Sequence, residues 1–156
     1  MNSTDLSGAN VPQFSITRLF DAPRELVWRA WTDESELAHW QHPFGVATDS
    51  VSLDVRVGGR FRYTMTNADT GQEFPTGGEY LKVEPFDRLV FTWGDPDAAV
   101  DDAPIITLTF IPHGDRTELV FHLRGIEGKP GDGFVYDGWD EALTNFGRHL
   151  AGENLD

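Results

Sequence analysis

The sequence predicts an α+β protein in which a curved antiparallel sheet of about six to seven strands wraps around one long C-terminal helix. Three observations predict it. Through the middle of the chain, from Ser50 to Arg124, apolar and polar residues alternate in short segments, the period of half-buried strands. After Phe20, and again after Asp132, apolar residues recur at spacings of three and four, the period of a helix. The alternation is one-sided, so the sheet has a dry face that another layer must cover, and the terminal helix is the segment available to cover it.

Residues 1–12 are small, polar and unpatterned and read as a flexible tail, which leaves 13–156 as a single domain. The first strand runs from Phe14 through Ile16 and Arg18 to Phe20. A short helix follows in "DAPRELVWRAWT". Pro23 suits its first position, Glu25 stands where a capping-box acid reaches back, and Leu26, Val27, Ala30 and Trp31 form its apolar side. A second short helix is capped by Asp33, with Glu36 completing a box and Leu37 and Trp40 buried; Pro43 stops it.

In "SVSLDVRV" the residues Val51, Leu53, Val55 and Val57 share one face, and Gly58-Gly59 reads as a two-residue hairpin turn into "RFRYTM". Two more strands lie around the Pro85–Asp87 corner, and the last pair is joined across His113 and Gly114. Their inward sets are Leu89, Phe91 and Trp93; Ile106, Leu108 and Phe110; Leu119, Phe121 and Leu123. Thr92, Thr107, Thr109, Glu118, His122 and Arg124 fall on the opposite face. From Asp132, a cap, the terminal helix carries Val135, Trp139, Ala142, Leu143, Phe146 and Leu150 at helical spacing, and Gly152 ends it.

The bulk numbers exclude several functions. With 26 acidic against 12 basic residues the net charge is −14, which repels nucleic acid and anionic membrane surfaces. Without cysteine there is no thiol catalysis, Cys-based zinc site or disulfide. No apolar run is long enough to cross a membrane, and the N-terminus lacks a signal pattern, so a cytoplasmic location is expected. No nucleophile elbow, phosphate loop or HExxH motif occurs. His39 and His42 are three apart but have no third partner nearby, so no metal site is expected. No cofactor is implied.

Beyond these bulk properties, the order of elements and several residues resemble the START-like, or SRPBCC, superfamily of helix-grip proteins. The nearest branch is the one named for activators of the heat-shock-protein-90 ATPase. The matching positions are Pro23, Val27-Trp28, Thr32, Trp40 and Pro43, then Asp54 and Arg56 before Gly58-Gly59, with Phe61 and Met65 after them. Gly78, Tyr80-Leu81, Pro85, Arg88-Leu89-Val90 and Trp93 follow, then Thr117, Leu119, Gly138-Trp139, Leu143 and Leu150. The resemblance implies the helix-grip fold and a cavity between sheet and terminal helix that holds hydrophobic molecules in many relatives. After Trp40 this branch usually has an aromatic residue and glycine. Gln41 and His42 stand here instead, so a more polar cavity mouth is expected.

The expected function is non-catalytic binding of a small hydrophobic or aromatic molecule. The candidate lining is Trp40, Phe44, Phe61, Tyr63, Met65, Phe91, Trp93, Phe110, Phe121, Trp139, Leu143 and Phe146, with Tyr63 and the indole N–H groups offering polar contacts. The Trp40–Phe44 loop and the glycine-rich "GKPGDG" segment, read as a flexible lid or connector, are expected to control access. Gly138 and Gly147 are costly in a helix; close approach of the sheet or room for a ligand would account for them, and close packing is the expectation. Two alternatives stand beside this reading. A polyketide cyclase or aromatase needs an acid or base pointing inward, for which only Tyr63 qualifies. A co-chaperone module needs a docking patch, which the sequence does not display. A homodimer is compatible with the sequence.

Overall fold

The structure is a computed structural model, and it describes residues 11–42 and 46–152. The elements are β1 (Gln13–Phe20), α1 (Arg24–Thr32), α2 (Glu34–Trp40), β2 (Val46–Leu53), β3 (Arg60–Asn67), β4 (Glu73–Glu84), β5 (Arg88–Thr92), β6 (Ile105–His113), β7 (Arg116–Arg124) and α3 (Val135–Leu150), with one 3₁₀ turn at Val100–Asp102. The expected tail at 1–12 falls mostly outside the described residues, as do Pro43 and Phe44.

The seven strands form one antiparallel sheet in the order β1-β7-β6-β5-β4-β3-β2. The first two strands therefore lie at opposite edges, and α1 and α2 carry the chain between them. The sheet bends along β4, whose first part pairs with β3 and whose last part pairs with β5. Gly77 and Gly78 make that bend possible. A Cβ on Gly78 would stand 2.0 Å from the Thr92 carbonyl oxygen, and one on Gly77 would stand 2.6 Å from that of Phe61. Only glycine permits so close a backbone approach.

The covering layer is held by aromatic packing around Trp31. Its ring lies 4.5 Å from Trp40, 5.8 Å from Phe146 and 6.2 Å from Trp139, measured between centroids, so it joins α1, α2 and α3. The far half of α3 closes directly onto the sheet. There Phe146 meets Phe20 at 4.8 Å, and a Cβ on Gly147 would touch the Phe20 ring at 3.4 Å. Arg18, on the inner face of β1, pairs with Asp140 of α3.

Several local expectations change. The β2–β3 connection is a six-residue loop, 54–59, rather than a two-residue turn. Leu53 pairs with Phe61, and Gly58 and Gly59 instead exchange hydrogen bonds with Tyr80 of β4. Gly59 is buried, since a Cβ there would stand 2.0 Å from the Asp54 carbonyl oxygen, and Val57, carried on the loop, is exposed. Pro23 is the N-cap of α1 rather than its first residue, and no side chain caps that end, so Glu25 closes no box. Leu26 is 38% exposed because it lies beside the stripe made by Val27, Ala30 and Trp31.

Asp33 does cap α2, accepting from Ser35 N at 3.0 Å and Glu36 N at 3.1 Å. The Ser35 hydroxyl and these two amides hold its carboxyl below the ordinary carboxylate range, against a small desolvation. Glu36 does not return to Asp33 N, which is already bonded to the Arg29 carbonyl; it pairs with Arg29 and His149. Thr92 belongs to the interior, because at the sheet's bend its hydroxyl accepts from Glu79 N at 2.8 Å.

Candidate functional site

Where the first half of α3 stands away from the bent sheet, the described residues enclose two adjoining chambers. The inner one, about 20 Å³, is lined by Trp31, Leu37, Gln41, Leu53, Phe61, Tyr63, Tyr80, Leu89, Phe91 and Trp139. The outer one, about 420 Å³, lies among Gln41, Met65, Phe74, Trp93, Phe134, Val135, Gly138, Trp139 and Ala142. Gln41 and Trp139 line both. The outer volume suits a small molecule of one or two rings.

Each wall follows from the elements behind it. The bend of β4 turns Phe61, Tyr63 and Tyr80 toward α1 and α2, and Gly138 keeps α3 from filling the outer chamber. A Cβ on Gly138 would meet nothing within 4 Å. The expected close packing therefore holds for Gly147 and not for Gly138, where the glycine leaves space.

The walls carry no charged side chain among the residues lining either chamber. Their titratable groups are two phenols, Tyr63 and Tyr80. Burial pushes both well above the ordinary tyrosine value, for Tyr80 with added repulsion from Tyr63 and Asp54. Both therefore stay protonated at any physiological pH. Tyr63 Oη accepts the Trp93 indole N–H at 3.0 Å and also bonds the Gln41 side chain.

Three polar atoms of residues that line the inner chamber have no hydrogen-bond partner among the described residues. They are Trp31 Nε1, Trp139 Nε1 and Gln41 Oε1, on residues no more than 4% exposed. By contrast Trp40 Nε1, equally buried, donates to the Ala30 carbonyl at 2.9 Å. Buried polar groups are nearly always hydrogen-bonded, and each unmade bond costs about 1–3 kcal/mol.

Of the residues the sequence put forward, Phe61, Tyr63, Phe91 and Trp139 line the inner chamber, and Met65, Trp93 and Trp139 the outer one. Trp40, Phe110, Phe121, Leu143 and Phe146 line neither. They are fully buried and packed on one another's neighbours, Phe110 against Trp28 and Phe121 against Trp139 at 4.7 Å. Phe44 lies outside the described residues. Sequence reasoning left Trp31, Tyr80 and Phe74 out of the lining, and it placed Gln41 at the mouth rather than in the wall. The inward alternation of β4 was available for Tyr80.

The expected polar mouth takes a different form. Gln41 is 3% exposed and lines both chambers, not the rim, and the His42 carbonyl accepts from the buried Asn145 amide at 3.1 Å. Exposed Phe134 and Phe74 stand at the outer chamber instead. The glycine-rich segment is pinned rather than left loose. Asp137 accepts from Gly131 N and Gly133 N at 2.8 and 2.7 Å, and Asp132 from Phe134 N at 2.8 Å.

The histidines lie elsewhere. His149 is half-buried against α2, where its Nδ1 is 2.9 Å from His39 Nδ1 and its Nε2 is 3.0 Å from Glu36. His122 bonds Gln13 on the outer face of the sheet. Among the described residues no three His, Asp or Glu side chains are placed to hold a metal ion, and no helix is long and apolar enough to cross a membrane.

The sheet bent around α3, with its cavity, is the helix-grip arrangement, and the family pattern described as "Activator of Hsp90 ATPase homolog 1-like protein" matches residues 21–151. The chain belongs to that family. A protein from Chromobacterium violaceum shares 29% identity with this member over 92% of its chain and 99% of the other, with a TM-score of 0.76. A protein from Arthrobacter aurescens shares 25% identity over 90% and 87% of the two chains, TM-score 0.77. A protein described as AHSA1-like, from Aeromonas hydrophila, shares 25% over 92% and 95%, TM-score 0.72. No curated protein matches the chain.

Proposed function

We propose that this protein binds a small, uncharged hydrophobic or aromatic molecule in the two-chamber cavity and carries out no chemistry on it. The observation that carries the reading is the outer chamber. It measures about 420 Å³, is walled by Met65, Phe74, Trp93, Phe134, Trp139 and Ala142, and is kept free by a glycine where the helix prefers alanine. Apolar surface removed from water there contributes about 25 cal/mol per Å². The cyclase alternative is disfavoured by the walls, whose titratable groups are two phenols that stay protonated. His122 and Asp54, the side chains whose presence inside would have favoured it, lie outside the cavity. The acidic surface argues against nucleic acid as a partner, and we place the protein in the cytoplasm.

The test is a thermal-shift screen against fatty acids, sterols, flavonoids and aromatic polyketides, repeated on Ala142→Trp. A ligand at about 100 times its Kd adds roughly 2.7 kcal/mol, a rise of several degrees. The expected result is a shift with the wild type that the tryptophan abolishes. Silence across the library, or a shift the substitution leaves intact, would overturn the reading.

A further inference from the structure

The unpartnered atoms of the inner chamber describe the end of the ligand that reaches it. Trp31 and Trp139 present indole rings 6.2 Å apart and inclined by only 20°, and each leaves its N–H without an acceptor. Gln41, on the same wall, leaves its amide oxygen without a donor. One oxygen that accepts two hydrogen bonds and donates one has the capacity these three atoms call for. A hydroxyl has that capacity. A ketone or ether oxygen accepts only and leaves Gln41 unanswered, a hydrocarbon answers none, and a carboxylate meets no cation among the lining residues. The chamber, about 20 Å³, admits one such oxygen and little more.

We propose that the ligand is a neutral phenol or alcohol whose hydroxyl enters the inner chamber between Trp31, Trp139 and Gln41 while its apolar body fills the outer one. The proposal rests on the cavity-binding reading above and specifies the ligand class for that site. A water molecule has the same capacity. What favours a ligand hydroxyl is the position of the chamber. Gln41 and Trp139, which line it, also wall the larger apolar space, so a molecule in the outer chamber lies against two of the three residues that carry these atoms.

The experiment compares four probes of one shape by isothermal titration calorimetry: 2-naphthol, 2-methoxynaphthalene, naphthalene and 2-naphthoate. Expected is the order naphthol, methyl ether, naphthalene, with naphthol about tenfold or more ahead of naphthalene and naphthoate not detectably bound. Trp139→Phe and Gln41→Met, each first checked for an unchanged circular dichroism spectrum, should each lower naphthol affinity several-fold more than naphthalene's, so that the naphthol-to-naphthalene ratio falls. Two substitutions at different atoms keep the test decisive if one fails to fold. If naphthalene and the ether bind as tightly as naphthol, the hydroxyl assignment falls while the cavity reading stands, because water then keeps the inner chamber. If naphthoate binds best, the assignment falls likewise. If none of the four binds, the cavity reading falls and this inference with it.

Discussion

Gly138 offers an experiment in which stability and binding move in opposite directions. It lies in the first turns of α3 with ordinary helical geometry, and a Cβ built on it meets nothing within 4 Å. Replacing a helical glycine by alanine removes backbone freedom from the unfolded chain and stabilises by about 0.5–1 kcal/mol where no clash offsets the gain. For a chain of this length 1 kcal/mol corresponds to about 2–4 °C in Tm. Gly138→Ala should therefore raise the melting temperature of the unliganded protein by about 1–4 °C. Gly138→Leu adds a side chain that projects into the outer chamber and should cut the affinity of an apolar probe at least tenfold without lowering Tm below wild type. One thermal-shift titration reads both, as the unliganded Tm and as the increment on adding ligand. A fall in Tm for Gly138→Ala would refute the claim that the position faces open space. An undiminished increment for Gly138→Leu would refute the claim that this space holds the ligand.

Three further outcomes follow from particular contacts. Tyr63→Phe removes the oxygen that accepts the Trp93 indole N–H and bonds Gln41, and chemical denaturation should show a loss of about 1–3 kcal/mol. Gly78→Ala forces a Cβ to within 2.0 Å of the Thr92 carbonyl oxygen and should cost about 3 kcal/mol, the scale of overpacking strain, whereas alanine at Gly114, where a Cβ meets nothing but φ is positive, strains only a surface turn. The Asp33 carboxyl titrates below its usual value, so the charged cap's contribution is full above the ordinary carboxylate range and is lost as pH falls through the lowered folded value. Urea midpoints of Asp33→Asn should therefore fall less steeply than wild type between about pH 4 and pH 2, and Asp33→Ala should lose about 1 kcal/mol at pH 7.

The fold was legible in the sequence because its signals are local and repeated. Alternation placed β5, β6 and β7 with their inward residues, and spacings of three and four placed α3 with Trp139, Ala142, Leu143 and Phe146 on its buried stripe. Capping was half legible. Asp33 works as read, but Glu25 and Glu36 do not, because a capping-box acid competes with whatever tertiary partner lies closer. For Glu36 those partners are Arg29 and His149. The Gly58-Gly59 pair misled for a related reason. Glycine there serves the approach to β4, a contact between segments about twenty residues apart, rather than a tight turn.

The site was legible only in part. Sequence by itself determined that many aromatic side chains face one interior, that the candidate lining carries no charge, and that the chemistry of cysteine and of long membrane helices is absent. These depend on residue type and period alone. Only the tertiary structure decided which aromatics pack and which line a space. Trp40 and Phe146 show the same pattern as Phe61 and Trp139, yet they meet at the closed end of α3 while the others face its raised end. Cavities are differences between surfaces from distant elements, here β3, β4, α2 and α3. No single segment records them, and Gln41 became a wall residue only when those four elements met.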